Sequence, residues 1–187
     1  MITSLQLVTD RLTLRPLEAT HLAAFAAMNA DPVVMTYFAA PMTMEESEAA
    51  IARYASARQQ HGFSFMAAET RSTNEFIGII GLQVMRDVVP NLPQPAVEIG
   101  WRLTREHQGK GYATEGARAV VHFAFHELRL PEVVAITAAG NNASRHVMHK
   151  LGMTLQPQLE FDHPRIPAGH PHQRHVLYRL NNTREEA

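Results

Sequence analysis

Between Val97 and Ala138 the spacing of apolar residues changes twice. Val97, Ile99, Trp101 and Leu103 alternate with Glu98, Gly100 and Arg102, the period of two of a strand with one buried face. From Gly111 to Leu128 the apolar positions Ala113, Ala117, Val120, Val121, Ala124 and Leu128 recur at helical spacing, and Pro131 ends the run. Val133 to Ala138 is then short and almost wholly apolar. A strand, a helix and a second strand in that order predict a parallel pair in the middle of a mixed α/β sheet.

The flanking segments predict antiparallel neighbours for that pair. Arg11 to Arg15 alternates and stops at Pro16, a strand. A helix is expected over 18–29, before Asp31-Pro32, and another from Thr43 towards Gln60, with Thr43 and Glu46 forming a capping box. Phe63–Glu69 and Phe76–Met85 are β-rich runs joined by a polar turn of hairpin length. Pro90, Pro93 and Pro95 mark an irregular connector too short to separate domains. Asn141 or Asn142 can cap a short helix ending at Gly152, followed by strands over 154–161 and 175–180. The expected architecture is therefore α/β (α+β mixed), with a central, mostly antiparallel sheet of six to seven strands flanked by helices.

A chain of 187 residues fits one domain over 1–187. With 45% hydrophobic and 19% charged residues it is too apolar for disorder. Seventeen Lys and Arg against 18 Asp and Glu leave no surplus of positive charge for nucleic acid or anionic lipid. No cysteine is present, so disulfides, thiolate metal sites and cysteine nucleophiles are all excluded. The start has no secretory pattern and no run approaches 18 apolar residues, so a cytoplasmic chain without a membrane span is expected. The polar tail Asn181–Ala187 is expected to fray.

Chemistry is expected where the middle strand meets its helix. Arg105-Glu106-His107-Gln108-Gly109-Lys110-Gly111-Tyr112-Ala113-Thr114 places two glycines before a helix N-terminus, where backbone N–H groups can cradle an anion. The nucleoside-triphosphate P-loop pattern fails, because Gly111 and not Ser or Thr follows Lys110, and Thr104 stands where a glycine is needed. A dinucleotide fingerprint fails at Thr114, where the third glycine belongs.

Gln108-x-x-Gly111-x-Ala113 after Glu98-Ile99-Gly100-Trp101-Arg102-Leu103, then Asn141-x-x-Ser144 and Lys150-Leu151-Gly152-Met153, resembles the GNAT superfamily of N-acetyltransferases, with the RimJ/RimL-type branch most similar. The resemblance begins at Asp10-Arg11-Leu12 and ends at Tyr178-Arg179-Leu180. It implies a GNAT-type fold and acetyl-CoA as cosubstrate. The pyrophosphate would rest on the turn of Gln108, Gly109, Lys110, Gly111, Tyr112, Ala113 and Thr114, with Lys110 or Arg105 balancing its charge. The pantetheine would pair along the strand end at Leu103 and Thr104, with Asn141 and Ser144 as further contacts. The acceptor would be a small-molecule amine or a protein N-terminus, the donor chemistry needs no metal, and a homodimer is one assembly open to such a chain.

Acyl transfer needs a neutral amine, and at pH 7 an α-amino group of pKa about 8 is roughly one-tenth neutral, against below about one part in a thousand for lysine. Glu98, on the polar face of the strand leading to the turn, is the candidate base, directly or through a water; pairing with Arg102 or a neighbour is the competing structural role. Many GNAT relatives carry a tyrosine where this chain has Met148, so the resemblance passes the role of donor to the departing thiolate to Ser144. Ser144 and Asn141 could equally serve as helix caps. A non-catalytic acetyl-CoA-binding sensor or subunit is the alternative function. His170, His172 and His175 have a spacing open to metal binding, but the surrounding prolines favour a loop over 163–175 lying over the acceptor pocket or against the last strand, with one of its histidines available as an alternative base.

Overall fold

The computed structural model describes residues 5–182. One nine-stranded sheet organises them, built from β1 (Leu7–Val8), β2 (Leu12–Pro16), β3 (Phe65–Thr70), β4 (Phe76–Met85), β5 (Ala96–Leu103), β6 (Glu132–Ala138), β7 (Thr154–Leu155), β8 (Phe161–Asp162) and β9 (Arg174–Asn181). The strand order is β1-β2-β3-β4-β5-β6-β9-β7, with β8 also on β9. Every pairing is antiparallel except β5 with β6. The six longer strands are those the sequence anticipates, by alternation or as β-rich and apolar runs. Of the three two-residue strands, β7 and β8 fall within the single strand expected over 154–161, apart from Asp162 at the end of β8, and β1 is too short to show a period.

Helix α3 (Tyr112–His126) supplies the crossover between β5 and β6. Its Ala117, Val120 and Ala124 pack with Leu12, Ile80, Leu82, Ile99 and Val133 in the largest apolar cluster. Helices α1 (Leu22–Ala30) and α2 (Met44–His61) close another cluster with Phe65, Ala67 and Ile79. Ile79 and Ile80 thus serve different clusters, as successive strand residues must. A third cluster joins Met85, Ala96, Val134, Phe161 and Leu177 beneath the connector that carries Val89 and Leu92. On β4 and β5, Gln83, Glu98, Gly100 and Arg102 lie between the second and third clusters, on the strand face opposite Ile99 and Leu103.

Local signals explain most boundaries. Thr43 caps α2 as expected: its Oγ1 accepts from the Glu46 N–H at 3.2 Å, and Glu46 Oε2 accepts from the Thr43 N–H at 2.8 Å. The first helix starts later than expected, at Leu22, after a 3-10 turn over Ala19–His21. The strand expected over 154–161 is broken into β7 and β8 by a 3-10 turn at Pro157–Leu159, because Pro157 fixes its φ and offers no N–H to a ladder. Helix α4 (Asn142–Lys150) is capped by Asn141, whose Oδ1 accepts from the Ser144 N–H at 3.2 Å. Of the tail 181–187, residues 183–187 lie outside the described residues.

Candidate active site

Strand β5 pairs with β4 along all eight residues, yet meets β6 at one position, Glu98 opposite Val134. Beyond that point the two parallel strands diverge, and one edge of residues 99–103 has no strand partner. Such an edge can take up an extended, amide-bearing ligand as though it were another strand. Because β5 and β6 run the same way, the turn after Leu103 and the turn after Ala138 open at the same end of the sheet. The two sequence motifs, 103–114 and 141–144, therefore stand on opposite lips of one cleft.

On the β5 lip the backbone does the shaping. Gly109 and Gly111 have φ of +71° and +84°, the left-handed region that glycine tolerates, and Gly111 is the residue from which α3 starts. The first N–H groups of α3 consequently face outward at the positive end of the helix dipole. Gln108 steadies the turn by donating from Nε2 to the Leu103 carbonyl at 3.1 Å, and Thr104 bonds His107 at 2.9 Å. Lys110 and Arg105 are exposed beside it.

A further cation sits here that motif reading missed. Arg11, about a hundred residues earlier in sequence, donates from Nη1 to the Lys110 carbonyl at 3.1 Å and lies over the Tyr112 ring at 4.5 Å. Its Nη2 would stand 3.4 Å from a Cβ on Gly111. Glu115, in the first turn of α3, holds Arg11 in place through Nε at 2.6 Å, and binds the Thr9 hydroxyl at 2.6 Å. The clue is spatial: only the packing of β2 beside α3 brings Arg11 to the turn.

On the β6 lip, Ser144 stands in the first turn of α4, where its hydroxyl is held by the Asn141 side-chain amide at 3.3 Å. Asn141 and Ser144 are both partly exposed, so the capping role and a ligand contact are compatible. Met148 is buried in the main core and does not face the cleft.

The floor of the cleft is different in kind. Glu98 is only 9% exposed. It accepts a hydrogen bond from Gln83 Nε2 at 2.6 Å, its direct neighbour across the β4–β5 ladder. Burial pushes its carboxyl up to about 7, partly offset by the Gln83 bond and the charge of Arg165. A carboxyl so placed exchanges a proton near neutral pH, the condition for an efficient general base. Arg102 pairs not with Glu98 but with Asn29 of α1, donating from Nη1 to Oδ1 at 2.6 Å, and it lies 4.2 Å from the centre of the Phe38 ring. Asn29 is wholly buried and donates to Ser47 of α2 at 3.0 Å. Asn29, Ser47 and Phe38 are floor residues that carried no sequence signal, since each is an ordinary helix or loop residue until the helices fold onto the sheet.

The histidine-rich loop between β8 and β9 closes one side. The His163 and His175 rings lie 4.7 Å apart, tilted by 44°, and His172 meets the Tyr37 ring at 4.8 Å, while the Tyr37 hydroxyl reaches the Gly140 carbonyl at 3.5 Å. Burial and the neighbouring His175 and Arg165 charges push His163 down to about 4, so it stays neutral. Among the described residues no group of three or more His, Asp or Glu side chains is gathered as a metal site. Likewise among them, no helix is long and apolar enough to cross a membrane.

Residues 11–154 match the family described as the acetyltransferase (GNAT) domain. The chain belongs to the GNAT acetyltransferase family. It is an acetyltransferase, and a GNAT domain implies acetyl-CoA-dependent N-acetyl transfer. It is 34% identical over 149 residues to the uncharacterized protein YkkB of Bacillus subtilis (strain 168), which covers 79% of this chain and 84% of that one. The crystal structure of an acetyltransferase from Agrobacterium tumefaciens str. C58 superposes with a TM-score of 0.77 at 29% identity, over 95% of this chain and 94% of that one. RimL, a ribosomal L7/L12 alpha-N-protein acetyltransferase solved in complex with coenzyme A, shares the fold with a TM-score of 0.75 at 17% identity, over 93% and 96% of the two chains.

Proposed function

We propose that this GNAT enzyme, as one catalytic domain over 1–187, moves the acetyl group of acetyl-CoA directly to a primary amine, either a protein N-terminal α-amine or a small-molecule amine. The observation that carries the reading is the diverging β5–β6 edge, which ends in an anion cradle and lies above a buried carboxyl poised near neutrality.

The residues present suit the donor. The outward amides of Gln108 to Thr114, Lys110, Arg105 and Arg11 would hold the pyrophosphate, and the unpartnered edge to Leu103 and Thr104 would hold the pantetheine. Bound there, acetyl-CoA supplies an activated acyl carbon. Glu98 takes a proton from the acceptor ammonium so that its nitrogen can bond to that carbon, and the carbon–sulfur bond breaks. Asn141 orients Ser144, whose hydroxyl donates to the departing sulfur at the positive end of α4. The first ammonium proton passes through Glu98 to solvent; the second leaves the nitrogen as the amide forms and restores the Ser144 hydroxyl, whose own proton has gone to the sulfur, so coenzyme A leaves as the free thiol. The RimL likeness supports the N-terminal acceptor through its fold alone, so both acceptor kinds stand.

The test is incubation with acetyl-CoA and a panel of peptide N-termini and small primary amines, following thiol release and acetylated product by mass. Acetylated product that requires Glu98 is the expected result. Thiol release with no acetylated amine on any member would contradict the reading.

A further inference from the structure

Arg102 is the arginine of the described residues whose surroundings fit its charge least. Its Nε is buried with no hydrogen-bond partner. Its Nη1 bonds a neutral amide, Asn29, and lies 3.9 Å from the Met42 sulfur. No carboxylate of the described residues comes within 4.0 Å of its guanidinium. Tyr54 faces it, but burial raises the phenol above its usual value, so it stays protonated and neutralises nothing. Arg179 provides the contrast: its Nε is likewise buried and unpaired, yet Glu132 stands 3.4 Å from its Nη1. Arg102 is part-buried with its Nε wholly enclosed, and a guanidinium withdrawn this far from water without a counter-ion is costly, a cost that an anion arriving from outside would offset.

The position favours the acceptor as that anion's source. Arg102 lies four residues beyond Glu98 on the same face of β5, about 13 Å along the strand at 3.3 Å per residue. Asn29, buried and tied to Ser47, fixes the guanidinium, and the Phe38 ring covers one of its faces. Its remaining donors form the planar fork that matches a carboxylate.

We propose that Arg102 selects acceptors that carry a carboxylate several bonds from the reacting amine, with the amine at Glu98 and the carboxylate on the guanidinium. This inference rests on the acetyltransferase reading of the same floor. Two sources share that chemistry, a small amino carboxylate and a peptide N-terminus followed by an acidic side chain.

Paired acceptors decide it. One arm compares ω-amino carboxylates of four to eight carbons with alkylamines of equal length. The other compares amidated peptides with glutamate or glutamine at the second or third position. The full-length enzyme is expected to favour the carboxylate member at least tenfold in kcat/KM in one of the two arms, and that arm names the source. In Arg102→Gln the ratio should fall towards one, and in Arg102→Lys it should keep an intermediate value. Calorimetry of the same pairs with coenzyme A present reads the preference where turnover is absent, and needs no variant that must fold. Equal rates and equal affinities within every pair, or a preference that persists in Arg102→Gln, would overturn the inference. Binding preference with no acetylation of any amine would instead contradict the acetyltransferase reading and leave the anion site standing.

Discussion

The two walls of the cleft are built from different materials. The cradle over 108–114 is exposed, contiguous in sequence and made of backbone amides, whereas the floor around Glu98 is buried and made of side chains from β4, β5, α1 and α2. A ligand met by backbone amides is recognised by shape and charge at one turn, so glycine positions carry the information. A ligand met by buried side chains is recognised by a network in which each member holds the next. On the proposed reading the cradle takes the donor and the floor the acceptor.

Glu98→Gln should give the largest effect and separate the two walls most sharply. Loss of the base is expected to lower kcat/KM by about 10²–10⁴-fold. The same change should raise stability at pH 8. A carboxyl held at about 7 in the fold and near 4.5 unfolded stabilises the fold fully only below pH 4.5, and that contribution is lost as pH rises through 7. Removing the charge should recover about 3 kcal/mol in urea denaturation at pH 8, and nothing at pH 4. For the unaltered enzyme, log kcat/KM should climb with pH to a plateau beginning near 7. A profile already flat at pH 5.5 would remove Glu98 from the role of base.

Gly111→Val comes next. A β-branched residue at φ +84° is strained, and its side chain points at the Arg11 guanidinium, so the first turn of α3 must shift. Acetyl-CoA affinity, read by calorimetry, should fall at least tenfold. Asn29→Ala leaves Arg102 and Ser47 without a buried partner and should cost about 2 kcal/mol of stability, with a higher acceptor KM and little change for acetyl-CoA. The smallest effect is expected from Arg11→Ala, at an exposed contact: a few-fold weaker acetyl-CoA binding that shrinks further at high salt.

The same contrast explains what could be read from residues in order. The period of two in β5, the helical spacing of α3 and the glycines at 109 and 111 are local, so the crossover and the cradle were legible. Thr43 and Asn141 announced their helices through capping chemistry between near neighbours. Glu98 was legible as a polar-face carboxylate, but its partner was not: alternation set it beside Arg102, and only the cross-strand register shows Gln83 opposite it. Arg11, Asn29 and Phe38 reach the site through contacts between residues far apart in sequence, and nothing in their own neighbourhoods marks them. The run 154–161 looked like one strand because its β-type residues outweighed the signal of Pro157.

Calorimetric titration of acetyl-CoA into the unaltered enzyme, Glu98→Gln and Gly111→Val tests the division between the walls most directly. The dissociation constant should be the same for the first two, although Glu98→Gln has lost turnover, and should rise at least tenfold for Gly111→Val. Acetyl-CoA affinity lost with Glu98 and retained with valine at 111 would contradict it.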